Sequence, residues 1–453
     1  MENYEELASM LAEVRVGGTF DSEGSFTLGG REALRKLAFF QLPRQSAWVL
    51  KIVQAAVRSK ASALRISQED ESTSFVFQSQ STIDAQELVA ALLSPEVPES
   101  PILAHLVVAL RAVGFGEQRC FSLALSSRGK RTLIGWNGDK LLQREEHTEP
   151  SNGTLFLLGV SNTGEDGNGP TRSERRVAEQ QELLQNSEVC PIPITFNGKR
   201  IGDLSRFTEQ ASRNRSLPLS IGWSALRTQF DLPALHLPAG LLSRMHAEEG
   251  KWRPTDRFED NRVFYFDGNE ADSELTCIGK LSFDFVVTKY RTMFSSFQFK
   301  TKTRKSQYCW VKDGVVVHRQ TSGWEAMPIS FDLYLSAEDL PSDISSFGLQ
   351  ESPELQRRRK IGVECLSYQC TNTLCALDGV ASRPTAIHSA LYGAWGLACL
   401  ALVPTTLGKS GLGLGALYSL AGSVYDRYEL REQSALYLRR LVDQTKVPSF
   451  VRD

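Results

Sequence analysis

WVLKIVQAAVRSKASALRI, residues 48–66, is the stretch on which the reading of this chain turns. Val49, Ile52, Val53, Ala56 and Val57 recur at helical spacing, so 46–60 predicts an amphipathic helix with one face in a core. Residues 63–67 then alternate as a strand does. Upstream, REALRKLAFF at 31–40 predicts another helix, preceded by Gly29-Gly30 and stopped before Pro43. Downstream, 73–78, 120–125, 132–136 and 154–160 read as strands, with an Arg128-Gly129 turn making a hairpin, and helices fall at 84–93 and 101–113. Runs of strands with helices gathered between them imply one sheet covered on one face, an α/β fold of the α+β sandwich kind.

The chain has 453 residues, 41% hydrophobic and 23% charged, which gives room for two or three globular domains. Lys and Arg number 51 against 53 Asp and Glu, a net charge of −2, so no whole-protein field draws it to nucleic acid or anionic lipid. Eight irregularly spaced cysteines do not make a secreted disulfide framework, and MENYEELASMLAEV has neither a basic nor an apolar leader region, so a cytoplasmic location is expected. Cys365, Cys370 and Cys375 recur every five residues, which on a helix scatters them by ~140° per step. They lack the paired spacing of a zinc site and read as inert buried thiols, with no metal expected.

A Gly/Asn/Ser-rich stretch at 161–174 marks a boundary or mobile loop, so a first domain is assigned to 1–165. The helix expected at 174–186 and the strand-rich run beyond it, with an Asn197-Gly198 turn and strands at 262–266, 282–288, 308–311, 314–318 and 330–335, form a second α/β domain over 175–380. Residues 385–453 form a C-terminal helical region. In it, AIHSALYGAWGLACLALVP and GLGLGALYSLAGSVY frame Lys409, and Gly411, Gly415, Ser419 and Ser423 make a ladder that lets helices approach closely. Two readings stay open for 386–425: an apolar helical hairpin buried against the second domain, or membrane contact, the first run lying near the lower length limit for a span.

The order helix, strand, strand, helix, glycine-containing turn, strands and a Gly-Thr strand resembles the GHKL (Bergerat-fold) ATPase superfamily, which includes the heat-shock-ninety chaperones, the gyrase B subunit, MutL and histidine kinases. Residues 48–66 resemble the helix and strand that carry the catalytic glutamate and the magnesium-binding asparagine. FVFQSQSTIDAQEL at 75–88 is similar to the strand and turn that hold the adenine, AVGFGEQRCFSLALSSRG at 112–129 to the glycine lid segment, and NGTLFLL at 152–158 to the strand closing the pocket. A polar helix leading into CPIPITFNGKRI resembles the start of the transducer domain that follows this module in the chaperones, gyrase and MutL.

Carried over position by position, the resemblance implies a degenerate nucleotide site. The general base, which must be a carboxylate within reach of water, corresponds to Lys51. The magnesium asparagine corresponds to Ala55, which has no donor atom. The adenine-binding aspartate corresponds to Gln78, and the glycines of its turn to Gln80 and Thr82. Gly114 and Gly116 remain as a turn whose amides could face a phosphate, or as plain turn chemistry, and Gly153-Thr154 as a pocket wall. No catalytic residue and no metal are therefore expected, and ATP or ADP is doubtful as a ligand.

Other constellations are weaker. Gly408-Lys409-Ser410 lacks the glycine a phosphate loop needs at position 403, which is Val403. KTKTRKSQYCWVK at 300–312 interleaves basic residues with Tyr308 and Trp310, but reads as a solvated edge more than a nucleic-acid surface; Lys300 or Lys302 is the analogue of a transducer lysine that reaches the terminal phosphate. The basic run at 357–360 reads as a solvated helix face. Six dispersed histidines form no metal or catalytic motif. The expected function is thus a chaperone-like or MutL-like pseudo-ATPase that binds proteins as a scaffold or regulator, with a homodimer implied by the family. Two alternatives stay open: a divergent ATPase drawing its base from Glu87, Glu96 or Glu99, and a membrane-tethered sensor or adaptor acting through 386–425.

Overall fold

In the computed structural model the described residues are 30–149, 153–164, 170–202, 216–226, 233–237, 274–275, 277–290, 296–301, 305–322, 329–343 and 345–366. The readings at 262–266, Lys302, Cys370, Cys375 and 386–425 lie outside them. Helices α1 (Gly30–Phe40) and α2 (Trp48–Arg58) come first, followed by strands β1 (Leu64–Gln68) and β2 (Ser72–Ser79) and helices α3 (Ala85–Leu93) and α4 (Pro101–Arg111). Strands β3 (Arg119–Ser127), β4 (Lys130–Trp136), β5 (Leu141–His147) and β6 (Thr154–Gly164) precede helix α5 (Arg172–Asn186) and the short pair β7 (Ile194–Phe196) and β8 (Lys199–Ile201). These strands form one sheet in the order β5-β4-β3-β6-β2-β1-β7-β8, antiparallel except where β7 runs parallel to β1.

Local chemistry accounts for the boundaries. Asp84 caps α3 by accepting from the Gln86 and Glu87 amides at 2.7 and 3.1 Å, and Thr171 with Glu174 forms a capping box on α5. Arg128 and Gly129, at φ 49 and 80, make the expected β3–β4 hairpin. In β1 and β2 burial alternates, with Leu64, Ile66, Phe75 and Phe77 turned toward the helices and Arg65, Ser67 and Gln78 exposed. Two features depart from the sequence reading. Strand β5 was not anticipated, because LLQREEH sits at a sheet edge and lacks apolar alternation. Within the run assigned by sequence to 175–380, β7 and β8 pair with the first sheet and α5 bonds to α2.

Helix α5 is anchored by a buried carboxylate. Glu179 accepts from Trp48 Nε1 at 3.1 Å, Gln68 Nε2 at 3.1 Å, Thr73 Oγ1 at 3.0 Å and Arg119 Nη1 at 2.6 Å, thereby joining α5 to α2, β1, β2 and β3. Arg119 is itself fully enclosed, also bonded to Glu117 and Asn162. A charge so far from water is tolerated only when paired and hydrogen-bonded on all sides.

The second unit contains β9 (Ser216–Leu226), the short pair β10 (Leu235–His236) and β11 (Glu274–Leu275), then β12 (Cys277–Tyr290), β13 (Ser296–Thr301), β14 (Gln307–Lys312), β15 (Val315–Thr321) and β16 (Ile329–Ser336). The sheet runs β13-β12-β16-β14-β15, with β9 also paired to β12. A helix over 353–366, α6, packs on its Leu333 and Leu335. The basic run on this helix is not wholly solvated: Arg358 is buried, donating to the carbonyls of Ser336 and Glu338 at 2.9 and 2.7 Å.

Glu179→Ala would leave the Arg119 guanidinium with a lost partner in a closed site. A loss of about 3 kcal/mol is expected, read as a fall in the urea midpoint; an unchanged midpoint would show that α5 is held by apolar packing alone.

Candidate functional site

The face of α2 opposite its apolar stripe presents Lys51, Gln54, Ala55 and Arg58 at i, i+3, i+4 and i+7, one line along the helix. This line meets the second unit. Gln54 Nε2 donates to the Lys312 carbonyl at 3.1 Å, Arg58 pairs with Asp313 and with Glu338 (2.7 Å for the latter), and Lys51 Nζ stands 4.5 Å from the centre of the Phe347 ring. Phe347 is held there by a turn in which Asp343 accepts from Ser345 Oγ at 2.6 Å and from the Gly348 amide at 3.1 Å.

Asp313 is the centre of the contact. It begins the β14–β15 turn with φ 51, followed by Gly314 at φ 74, the left-handed pair that an Asp-Gly hairpin supplies. Its buried carboxylate receives Arg58 from α2 and His105 Nε2 from α4 at 3.0 Å, while its amide donates to Glu338 Oε1 at 3.1 Å. The carboxylate can only accept, so the His105 proton is on Nε2. Burial lowers the His105 pKa from its ordinary value, a trend partly opposed by the hydrogen bond to Asp313. Gly314 allows no side chain: an added Cβ would lie 2.5 Å from Pro191 Cδ and 3.1 Å from Val57 Cγ2.

Lys51 is 2% exposed. Burial and the neighbouring Lys312 lower its pKa to about 7, against the pull of Asp313 and Asp343. It has no carboxylate within ion-pair distance among the described residues, and the aromatic face of Phe347 is its close partner. Ala55 is fully buried on the same helix.

The remaining positions lie apart from this junction. Gln78 is on the exposed face of β2, away from the helices, whereas its neighbour Ser79 faces inward. Gln80 and Thr82 are exposed in the turn after β2. Gly153 and Thr154 do adjoin that turn: Gly153, at φ 76, crosses so close to Ser79 that a Cβ would meet its carbonyl at 2.0 Å, and Thr154 Oγ1 accepts from the Ile83 amide at 3.0 Å. Thr154 is thereby engaged in closing the turn.

Gly114 and Gly116 belong to a π-helical turn, Ala112–Gly116, that extends α4 and is secured by the Glu117 amide on the Ala112 carbonyl at 2.8 Å. Trp136 Nε1 donates to the Gly114 carbonyl at 3.1 Å and its ring packs edge-on to Phe115, so Gly114 is small because Phe121 and Trp136 press against it.

A cleft of about 500 Å³ opens beside the junction, with Val57, Arg58 and Lys60 on one side and Pro191, His236 and Glu338 on the other. Lys51, Ala55 and Gln78 are not among its walls. Sequence reading missed Arg58, His105, Asp313 and Phe347. The Asp-Gly pair between two strand patterns was the one available signal, and it marks a hairpin without saying what the hairpin touches. Lys300 lies in β13.

No protein-family model matches this chain, and no curated protein matches it. Among solved structures the chain is similar to the B subunit of the DNA gyrase from Myxococcus xanthus, at 9% identity and a TM-score of 0.39, over 72% of this chain and 89% of that one.

Two outcomes follow from the junction. The unfolded chain keeps the Lys51 proton up to about pH 10.5 and the folded chain only to about 7, so the unfolded state binds more protons in between and stability rises with pH across that window. At about 1.4 kcal/mol per pH unit the effect is of the order of 5 kcal/mol at most. Lys51→Met is expected to raise the urea midpoint at pH 7 and remove most of the gain seen on going to pH 9.5; a slope equal to that of the parent protein would place the titration elsewhere. Gly314→Val, strained in φ and wedged against Pro191, is expected to lose about 2 kcal/mol or more, and an unaltered midpoint would mean that the hairpin turn is not tightly docked.

Proposed function

We propose that this chain is a GHKL-like two-unit protein without efficient ATP hydrolysis that serves as a protein-binding scaffold or regulator of the chaperone-like or MutL-like kind. The observation that carries the reading is the environment of Lys51. At the position where the resemblance requires a carboxylate open to water stands an amine, enclosed under Phe347 and bordered by the Lys312–Gly314 turn. Enclosed under that ring, the amine does not reach water as a glutamate with access to a substrate would. Ala55 adds no oxygen for magnesium.

The order of elements also supports the reading. Helix, two strands, two helices, strands, a Gly-Thr strand, then a polar helix follow the chain in the sequence expected of that superfamily. The carboxylates of the divergent-ATPase alternative, Glu87, Glu96 and Glu99, are exposed on α3 and the connection to α4, with nothing that brings them to α2. Among the described residues no helix is long and apolar enough to cross a membrane; residues 386–425 lie outside that set. For a partner protein, Phe39 and Phe40 at the end of α1 offer apolar surface, 58% and 76% exposed.

The test uses the intact purified chain. Neither ATP nor ADP with magnesium is expected to raise its melting temperature, because a ligand stabilises only a native state that binds it, and no magnesium-dependent phosphate release is expected. Turnover that Lys51→Ala abolished would overturn the proposal.

A further inference from the structure

We propose that Cys277 and Cys365 form a redox-sensitive thiol pair, which a peroxide converts into a disulfide tying α6 to strand β12.

The juxtaposition comes from packing. Helix α6 is drawn onto the second sheet at Gly362, where an added Cβ would lie 2.8 Å from Leu335 Cδ2 and 2.9 Å from Leu333 Cδ2. Only a residue without a side chain allows so close an approach. Cys277 is the direct cross-strand partner of Leu335 in the β12–β16 register, so the two share a face of the sheet. Cys365 is three residues beyond Gly362, on the same face of the helix. The two thiols are accordingly neighbours in the apolar cluster that includes Leu333, Leu335, Ile361 and Leu366.

Other described cysteines lack this arrangement. Cys190 and Cys309 are buried with their thiol pKa values pushed up to about 12, and Cys120 is exposed on β3. Within the pair the contact makes the thiols unequal, lowering the pKa of Cys365 and raising that of Cys277. Cys365, also the less enclosed of the two, is therefore the first nucleophile and Cys277 the resolving thiol.

The chemistry balances with hydrogen peroxide as the oxidant. The Cys365 thiolate attacks one peroxide oxygen; an S–O bond forms, the O–O bond breaks, and hydroxide leaves and takes up a proton as water. Cys277 Sγ then attacks the sulfenic sulfur; the S–S bond forms, the S–O bond breaks, and the second water departs with the Cys277 proton. Two thiols and one peroxide give one disulfide and two waters. With both side chains only 2% and 5% exposed, a small oxidant is favoured over a bulky one. In a reducing compartment such a bond would be transient, which is the mark of a sensor and not of a structural bridge.

The test begins with the full chain, reduced and then freed of reductant. It is treated with hydrogen peroxide, alkylated, digested without reduction and read by mass spectrometry. A linked peptide pair containing Cys277 and Cys365 is expected, with an intact mass lower by about 2 Da for the lost hydrogens, both reversed by dithiothreitol. Cys365→Ser should abolish the link and leave Cys277 as a thiol, and Cys277→Ser should leave a dimedone-reactive sulfenic acid at Cys365. The parent chain alone decides the matter if a variant does not fold. Oxidation of Cys120 with Cys277 and Cys365 still free, or a link from Cys365 to Cys370 or Cys375, would overturn the proposal.

Discussion

The carboxylate of Asp313 is the constraint around which the two units are arranged. A buried anion must find cations or donors, and Asp313 finds Arg58 from α2 and His105 from α4, two helices of the first unit, while it belongs to a hairpin of the second. The residue can occupy that position because the left-handed turn at 313 and 314 has so little bulk that it enters between Val57 and Pro191. Once it is seated, Gln54 is satisfied by the Lys312 carbonyl, and the neighbouring 343–348 turn brings Phe347 over Lys51. Charge, turn geometry and apolar packing thus depend on one another at a single point.

That arrangement turns the polar face of α2 onto backbone, a carboxylate and an aromatic ring. Lys51 is the informative residue: its amine, with its pKa lowered to about 7 chiefly by burial, is enclosed under the Phe347 ring. Close packing recurs at three glycines: an added Cβ would press on the Trp136 ring at Gly114, meet the Ser79 carbonyl at Gly153 and meet Pro191 at Gly314.

Much of the first unit was legible from its residues. The apolar period of α2, the alternation in β1 and β2, the Arg128-Gly129 hairpin and the Gly-Thr strand are local signals, and local signals survive in sequence. Strand β5 was not legible because an exposed edge strand has no buried face to set a pattern. The membership of β7 and β8 in the first sheet was hidden for another reason: a strand's parallel partner is chosen by packing far along the chain, not by its own composition. At the candidate site, the resemblance singled out Lys51 and Ala55, and what they touch was not legible, because Phe347 and the 312–314 turn lie far along the chain.

The sequence by itself determined most of the helices and strands of the first unit and which residue types stand along α2. These follow from side-chain period and chemical identity, which are properties of neighbours in the chain. Only the tertiary structure decided that Lys51 is enclosed by Phe347, that Asp313 neutralises Arg58, and that Cys277 meets Cys365 beneath Gly362. Those pairs are separated by 88 to 296 positions, and which of them touch depends on how two sheets and their helices bury apolar area together. The stretch at 48–66 therefore specifies a helix and its two faces, while the second unit decides what the polar face is for.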